Sequence, residues 1–132
     1  MSVFVDTSAI YALLSASDSS HARARRVLIN LRARDERLIT TSYVVVETSI
    51  LVSRRMGMRM ARALYETLFP LLHVRWVDEE MHHEGSAAWL SAGRRGASLV
   101  DWVSFQTMRR EGVEEAFAFD PDFAQEGFRL LD

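Results

Sequence analysis

The sequence predicts an α/β fold in which a mostly parallel sheet is covered on both faces by helices. Three observations predict it. Short apolar runs such as Val3-Phe4-Val5 alternate with longer stretches of helical period. Several of these runs end at Asp, Thr or Ser, where a helix can start. The 132 residues carry no internal repeat, Pro/Gly-rich linker or low-complexity block, so we take residues 1–132 as one domain.

The elements follow in order. Val3-Phe4-Val5 reads as a buried strand ending at Asp6-Thr7-Ser8, where Thr7 or Ser8 caps a helix carrying Ile10, Leu13 and Leu14. Asp18-Ser19-Ser20 opens a second helix with Ala22, Val27, Leu28 and Leu31 inward. Leu38-Ile39-Thr40 is a second strand, and Thr41 or Ser42 caps a helix through Arg55 that Gly57 ends. Val44-Val45-Val46 is β-branched and suits a strand. However, Val44, Glu47, Leu51 and Val45, Thr48, Val52 recur at three and four residues, which favours helix. Residues 58–69 form a helix with Met60, Ala61, Leu64 and Leu68 on one face. Val74 to Val77 is a third strand, and residues 79–92 a helix with Trp89 and Leu90 inward. A loop holding Arg94 and Arg95 leads to a helix of residues 101–111, stopped by Gly112. Ala116-Phe117-Ala118-Phe119 and Phe128 to Leu131 are the last strands.

Composition narrows the chemistry. Hydrophobic residues at 48% and charged residues at 26% exclude a disordered or collagen-like chain. The absence of cysteine excludes disulfides, thiolate zinc sites, iron–sulfur clusters and a cysteine nucleophile. No run approaches the ~18 apolar residues of a membrane span. The N-terminus lacks a basic segment ahead of its apolar run, so the expected location is the cytoplasm, with no membrane partner. Charge is uneven: residues 1–75 hold 11 Arg against 6 acids, and residues 76–132 hold 5 Arg against 12 acids. That asymmetry suits an anionic substrate drawn toward a carboxylate-held cation, and equally a soluble surface with no such role.

Four acids stand out. Asp6 and Asp120 follow apolar strands, and ligands of parallel sheets collect at the carboxyl ends of strands. Glu47 and Asp101 interrupt apolar helical sequence, where an unpaired carboxylate is costly. Each has an ordinary alternative: Asp6 and Asp101 as helix caps, Glu47 on a solvated face, Asp120 as a turn residue before Pro121. Two carboxylates ~5 Å apart repel by roughly 3 kcal/mol at an effective dielectric of ~20, so four in one site call for a proton, an Arg or a divalent cation. Oxygen-only ligands favour Mg²⁺ or Mn²⁺, which activates water and neutralises charge building on a phosphodiester.

The ordered set Val3-Phe4-Val5-Asp6-Thr7-Ser8-Ala9, Thr41 to Thr48, Ser98 to Phe105 and Ala118-Phe119-Asp120-Pro121-Asp122-Phe123 resembles the PIN-domain ribonucleases, most closely the VapC-type toxins of bacterial toxin–antitoxin pairs. The resemblance runs over nearly the whole chain. It implies a Rossmann-like α/β/α sandwich, a homodimer, a cognate antitoxin, and Mg²⁺- or Mn²⁺-dependent endonucleolytic cleavage of RNA leaving 5′-phosphate and 3′-hydroxyl ends. It implies Asp6, Glu47 and Asp101 as metal-holding acids with Asp120 as the fourth. Asp122, two residues on, is the second choice for that fourth place.

Supporting residues follow from position. Thr7 and Ser8 are placed to donate hydroxyls to Asp6 or to a phosphate, although Ser8 suits a plain helix cap as well. Ser104, three residues after Asp101, either orients that acid or packs. Arg54, Arg55, Arg94 and Arg95 are candidates for RNA backbone contacts, with solvated charge as the ordinary alternative. His21, His82 and His83 read as surface residues. Met56, Met58 and Met60 mark a candidate dimer or antitoxin surface, core packing being the alternative.

Two rivals share the fold, a non-catalytic RNA- or protein-binding module and a housekeeping RNA-processing nuclease. Other α/β enzymes fit worse. Without Lys there is no P-loop and no response-regulator site, and Ser8 stands where a haloacid-type phosphatase needs its second Asp.

Overall fold

The structure is a computed structural model and describes residues 1–93 and 95–132. Five strands form one sheet in the order β3-β2-β1-β4-β5: β1 (Ser2–Val5), β2 (Arg37–Thr41), β3 (His73–Arg75), β4 (Glu115–Phe117) and β5 (Arg129–Leu131). Every pairing is parallel, with Phe4 opposite Ile39 on one side and Ala116 on the other. The helices that flank the sheet are α1 (Thr7–Leu14), α2 (His21–Ala33), α3 (Ser42–Met56), α4 (Met58–Ala63), α5 (Glu79–Ala92), α6 (Leu99–Glu111) and the short α7 (Asp122–Gln125). None of the described helices is long and apolar enough to cross a membrane.

The chain builds outward from β1 through β2 to β3, then crosses back to place β4 on the other side of β1. Strand order therefore reverses at β1 and β4, and the crevice at their carboxyl ends is where such sheets take ligands. Central strands are apolar on both faces because helices cover both: Val3, Phe4, Leu38, Ile39, Ala116 and Phe117 are all buried. The other main core feature is aromatic. Phe105 of α6 meets Phe123 of α7 edge-on at 4.9 Å between centroids and stacks with Phe128 at 5.9 Å.

Several local expectations need correction. Helix α1 is capped by Asp6, whose carboxylate accepts from Ser8 N, rather than by Thr7 or Ser8. In α2 the fully buried positions are Ala24 and Leu31, and Ala22 is exposed. Residues 58–69 are not one α-helix: α4 ends at Ala63 and continues as a π-helical turn, Leu64–Leu68, and a 3₁₀ turn, Phe69–Leu71. Pro70 lacks the N–H that a continuing helix needs. The expected inward face, Met60, Ala61, Leu64 and Leu68, nevertheless packs on the core. Strand β3 stops at Arg75, leaving Trp76 74% exposed. Strand β4 stops at Phe117, so Ala118 and Phe119 carry the chain on to Asp120. Helix α6 starts at Leu99, capped by Ser98, two residues earlier than its expected start.

The largest correction concerns α5. Trp89 and Leu90 face outward, 38% and 71% exposed. The inward stripe is instead the buried Gly85 with the half-buried Ala88 and Ala92, spaced at three and four residues. A Cβ at Gly85 would collide with Val103 Cγ2 and come within 3.0 Å of its Cα, so α5 and α6 approach too closely for a larger side chain. That small-residue stripe sets the rotation of α5 and turns its large residues away. Arg94 lies outside the described residues.

Candidate active site

Each acid reaches the crevice by a different route. Asp6 ends β1, its N–H donating to Phe117 O at 3.1 Å as a last rung on β4. Its Oδ2 accepts from Ser8 N at 3.1 Å and from Ser8 Oγ at 2.6 Å. Ser8 Oγ in turn accepts from Phe119 N at 2.9 Å. One hydroxyl thus ties the acid on β1 to the segment that delivers Asp120, 111 residues later in the chain.

Glu47 lies in the second turn of α3. Thr41 caps that helix through Val44 N, and Thr48 shares a buried 3.0 Å hydrogen bond with Thr7 across the two hydroxyls. Thr7 therefore links the start of α1 to the second turn of α3, and its hydroxyl does not bond to Asp6. Asp101 is held by a reciprocal capping box: Ser98 N donates to Asp101 Oδ2 at 2.9 Å, and Asp101 N donates to Ser98 Oγ at 3.2 Å. Ser104 does not orient this acid, since its hydroxyl donates to Val100 O. Asp120 Oδ1 accepts from Asp122 N at 2.9 Å, a turn that brings both side chains to the same side.

The tightest grouping is Asp101, Asp120 and Asp122, one carboxylate oxygen from each lying within 4.8 Å of the others. Asp6 and Glu47 are not part of that triad but share its electrostatic neighbourhood. Burial raises the Asp6 carboxyl to about 7, its bonds to Ser8 oppose the rise, and the charges of Asp101 and Asp120 add to it. Burial likewise raises Asp101 to about 6; Ser98 opposes, while Asp120 and Glu47 add. The four expected acids are therefore gathered as neighbours, and Asp122 joins them.

Carboxylates from four chain segments, two of them held above their ordinary proton affinity, are a donor set suited to a divalent cation. Their oxygens are hard ligands, and a cation removes the mutual repulsion that burial magnifies. The expected hydroxyl donation from Ser8 to Asp6 is present, whereas the pairing of Ser98 with Asp101 was not anticipated. The pattern Ser98-x-x-Asp101 was a visible signal for the capping box. Nothing local marked Ser8 as a bridge to Phe119, or the 2.6 Å hydrogen bond between Tyr43 OH and the half-buried His82 Nδ1. His21 is also half-buried, its Nδ1 lying 2.8 Å from Ala12 O, while His83 is exposed.

Beside the acids lies an apolar groove of about 490 Å³, lined by Tyr43, Val46, Glu47, Ile50, Leu51, Arg54 and Val100. Val46 and Ile50 are more than half exposed there.

Comparisons with known proteins agree with the fold. A family model described as "PIN domain" matches residues 3–128. The chain is 34% identical over 127 residues to the 23S rRNA-specific endonuclease VapC20 of Mycobacterium tuberculosis, covering 96% of this chain and 95% of the relative. The crystal structure of that VapC20, described as a Sarcin-Ricin loop cleaving toxin, superposes with a TM-score of 0.84 over the same shares. VapBC2 from Rickettsia felis, solved bound to a DNA fragment from the promoter, shares the fold. Its TM-score is 0.72 at 13% identity, covering 98% of this chain and 97% of that one. FitAcB from Neisseria gonorrhoeae does likewise at 0.71 and 15%, covering 100% and 97%.

Proposed function

The chain belongs to the PIN-domain family, and from that premise we propose that it is the endoribonuclease toxin of a type II toxin–antitoxin pair, acting in the cytoplasm as one domain. The observation that carries the reading is the convergence of Asp6, Glu47, Asp101, Asp120 and Asp122 at the strand-order reversal. Likeness over nearly the full length to a protein named for cleaving 23S rRNA supports RNA as the substrate.

In this reading Asp6, Glu47, Asp101 and Asp120 hold Mg²⁺, with Mn²⁺ as the substitute, and Asp122 completes the triad. When bound, the cation supplies Lewis acidity toward the phosphodiester and its attacking water. The chain's own residues do the rest. Ser8 keeps Asp6 in register with the Asp120 turn, and Ser98 fixes one oxygen of Asp101, leaving its other oxygen for ligation. Hydrolysis adds water across the P–O3′ bond, giving 5′-phosphate and 3′-hydroxyl ends, with no side-chain nucleophile.

The apolar groove on α3 suits a segment of the antitoxin. It runs up to Glu47, so a bound peptide carrying a cationic side chain would meet the acids and neutralise them, which is inhibition by charge. We assign the homodimer contact to the α4 face around Met58, which is 69% exposed and lines a pocket of about 290 Å³ with Tyr65.

The deciding experiment incubates purified protein with ribosomal RNA in Mg²⁺, in EDTA and as the Asp6→Asn variant. Cleavage in Mg²⁺ alone is expected, and equal cleavage in all three conditions would remove the mechanism. Stable RNA binding without turnover across several metals would favour the non-catalytic module instead.

A further inference from the structure

A second pocket adjoins the acids through Ser98. It is about 540 Å³ and is lined by Trp89, Leu90, Gly93, Arg95, Ala97 and Ser98, among others. Three features of this pocket bear on what it binds. Its wall includes the exposed indole of Trp89. It includes Arg95, which has no ion-pair partner among the described residues. It also shares Ser98 with the acid site, the Ser98 N–H donating straight to Asp101 at 2.9 Å. A ligand in this pocket is therefore one residue's hydrogen bond away from an acid of the cluster.

An indole and a guanidinium lining one pocket are the components of a single-strand nucleic-acid site: a flat π-face for a base and a cation for the backbone. The α3 groove also holds a ring and a cation, Tyr43 and Arg54, but its wall includes the acid Glu47, whose charge repels a phosphate. The backbone that carries Trp89 is also held in place. Gly93 N donates to its carbonyl as the α5 cap, and the close packing of Gly85 on Val103 fixes the helix beneath it. A fixed backbone presents the ring at one place on the surface, which lowers the entropy cost when a base stacks on it.

We propose that this pocket is a subsite for single-stranded RNA flanking the cleaved bond, in which Trp89 stacks on a nucleobase and Arg95 contacts the adjoining phosphate. It rests on the ribonuclease reading and adds to it a platform that holds the strand as it leaves the acids. Trp89 is thus a binding residue with no part in bond breaking. It should act on KM and leave kcat alone.

Fluorescence in EDTA separates the two readings, since the RNA stays intact. In a Trp76→Phe background, which removes the other strongly exposed indole, a single-stranded RNA oligomer is expected to quench emission. Adding Trp89→Phe should abolish most of that quenching. In Mg²⁺, Trp89→Ala should raise KM about ten-fold at unchanged kcat, and Trp89→Phe should restore it. Arg95→Ala should lower the salt dependence of RNA binding by about one counterion. Quenching that survives Trp89→Phe overturns the subsite. So does a Trp89→Ala protein with normal KM and a reduced assembly mass, because the pocket would then hold a second copy of the chain. Either result leaves the nuclease reading intact, whereas absence of cleavage with normal quenching removes the nuclease reading and overturns the subsite's place beside a cleaved bond, leaving an RNA-binding pocket.

Discussion

Ser8 carries more of the site than its size suggests. Its hydroxyl donates to Asp6 and accepts from Phe119 N, so its loss frees a buried carboxylate and orphans a backbone donor together. Ser8→Ala is expected to lower cleavage by about 10–100-fold, the cost typical of removing a residue that orients a metal ligand. Activity within two-fold of the parent would show that Asp6 is positioned by the backbone alone. Ser104→Ala is the matched control, because its hydroxyl is spent on Val100 O within α6. The contrast separates a residue that touches an acid from one that merely sits near it in sequence.

At the scale of elements, two contacts aim the acids. Helix α5 rests on α6 through Gly85, where a methyl has no room against Val103. Gly85→Ala should destabilise by about 1–3 kcal/mol, since the gain in helix propensity is smaller than the strain. Denaturant unfolding measures it, and an unchanged midpoint would mean the helices can part freely. The aromatic cluster does the same for α7. Phe123 is fully buried between Phe4, Phe105 and Phe128, directly after Asp122. Phe123→Ala should cost about 3–5 kcal/mol. It should also weaken metal binding beyond its effect on folding, because the Asp120–Asp122 turn loses its anchor. The elements themselves were legible in the sequence to within a few residues, as apolar period and capping residues act over one or two turns. The rotation of α5 was not. Trp89 and Leu90 are the most hydrophobic residues of that helix, yet the small side chains won the interface by allowing closer approach.

For the whole molecule the acids set a pH dependence. Burial holds Asp6 near 7 and Asp101 near 6, both above the 3.8 of an ordinary aspartate. Between about pH 4 and pH 7 the folded chain therefore binds more protons than the unfolded chain. These two groups make the metal-free protein less stable as pH rises through that window. A divalent cation binds the ionised form and offsets the loss by mass action. Melting scans should show a gain from Mg²⁺ over EDTA that is larger near about pH 8 than near about pH 5. Asp6→Asn should raise the metal-free melting temperature at the higher pH and shrink the Mg²⁺ gain. Equal gains at both pH values would remove the acids as the site of binding.

The sequence by itself determined the order of strands and helices and the four acids with their approximate places, because hydrophobic period, caps and strand ends are written over a few neighbouring residues. Only the tertiary structure decided that Asp122 stands beside Asp101 and Asp120, that Ser8 bridges β1 to the exit of β4, and that Trp89 is free to meet a ligand. Those outcomes depend on where a distant segment returns across the sheet and how closely two helices can pack, and neither distance is encoded in any local stretch of chain.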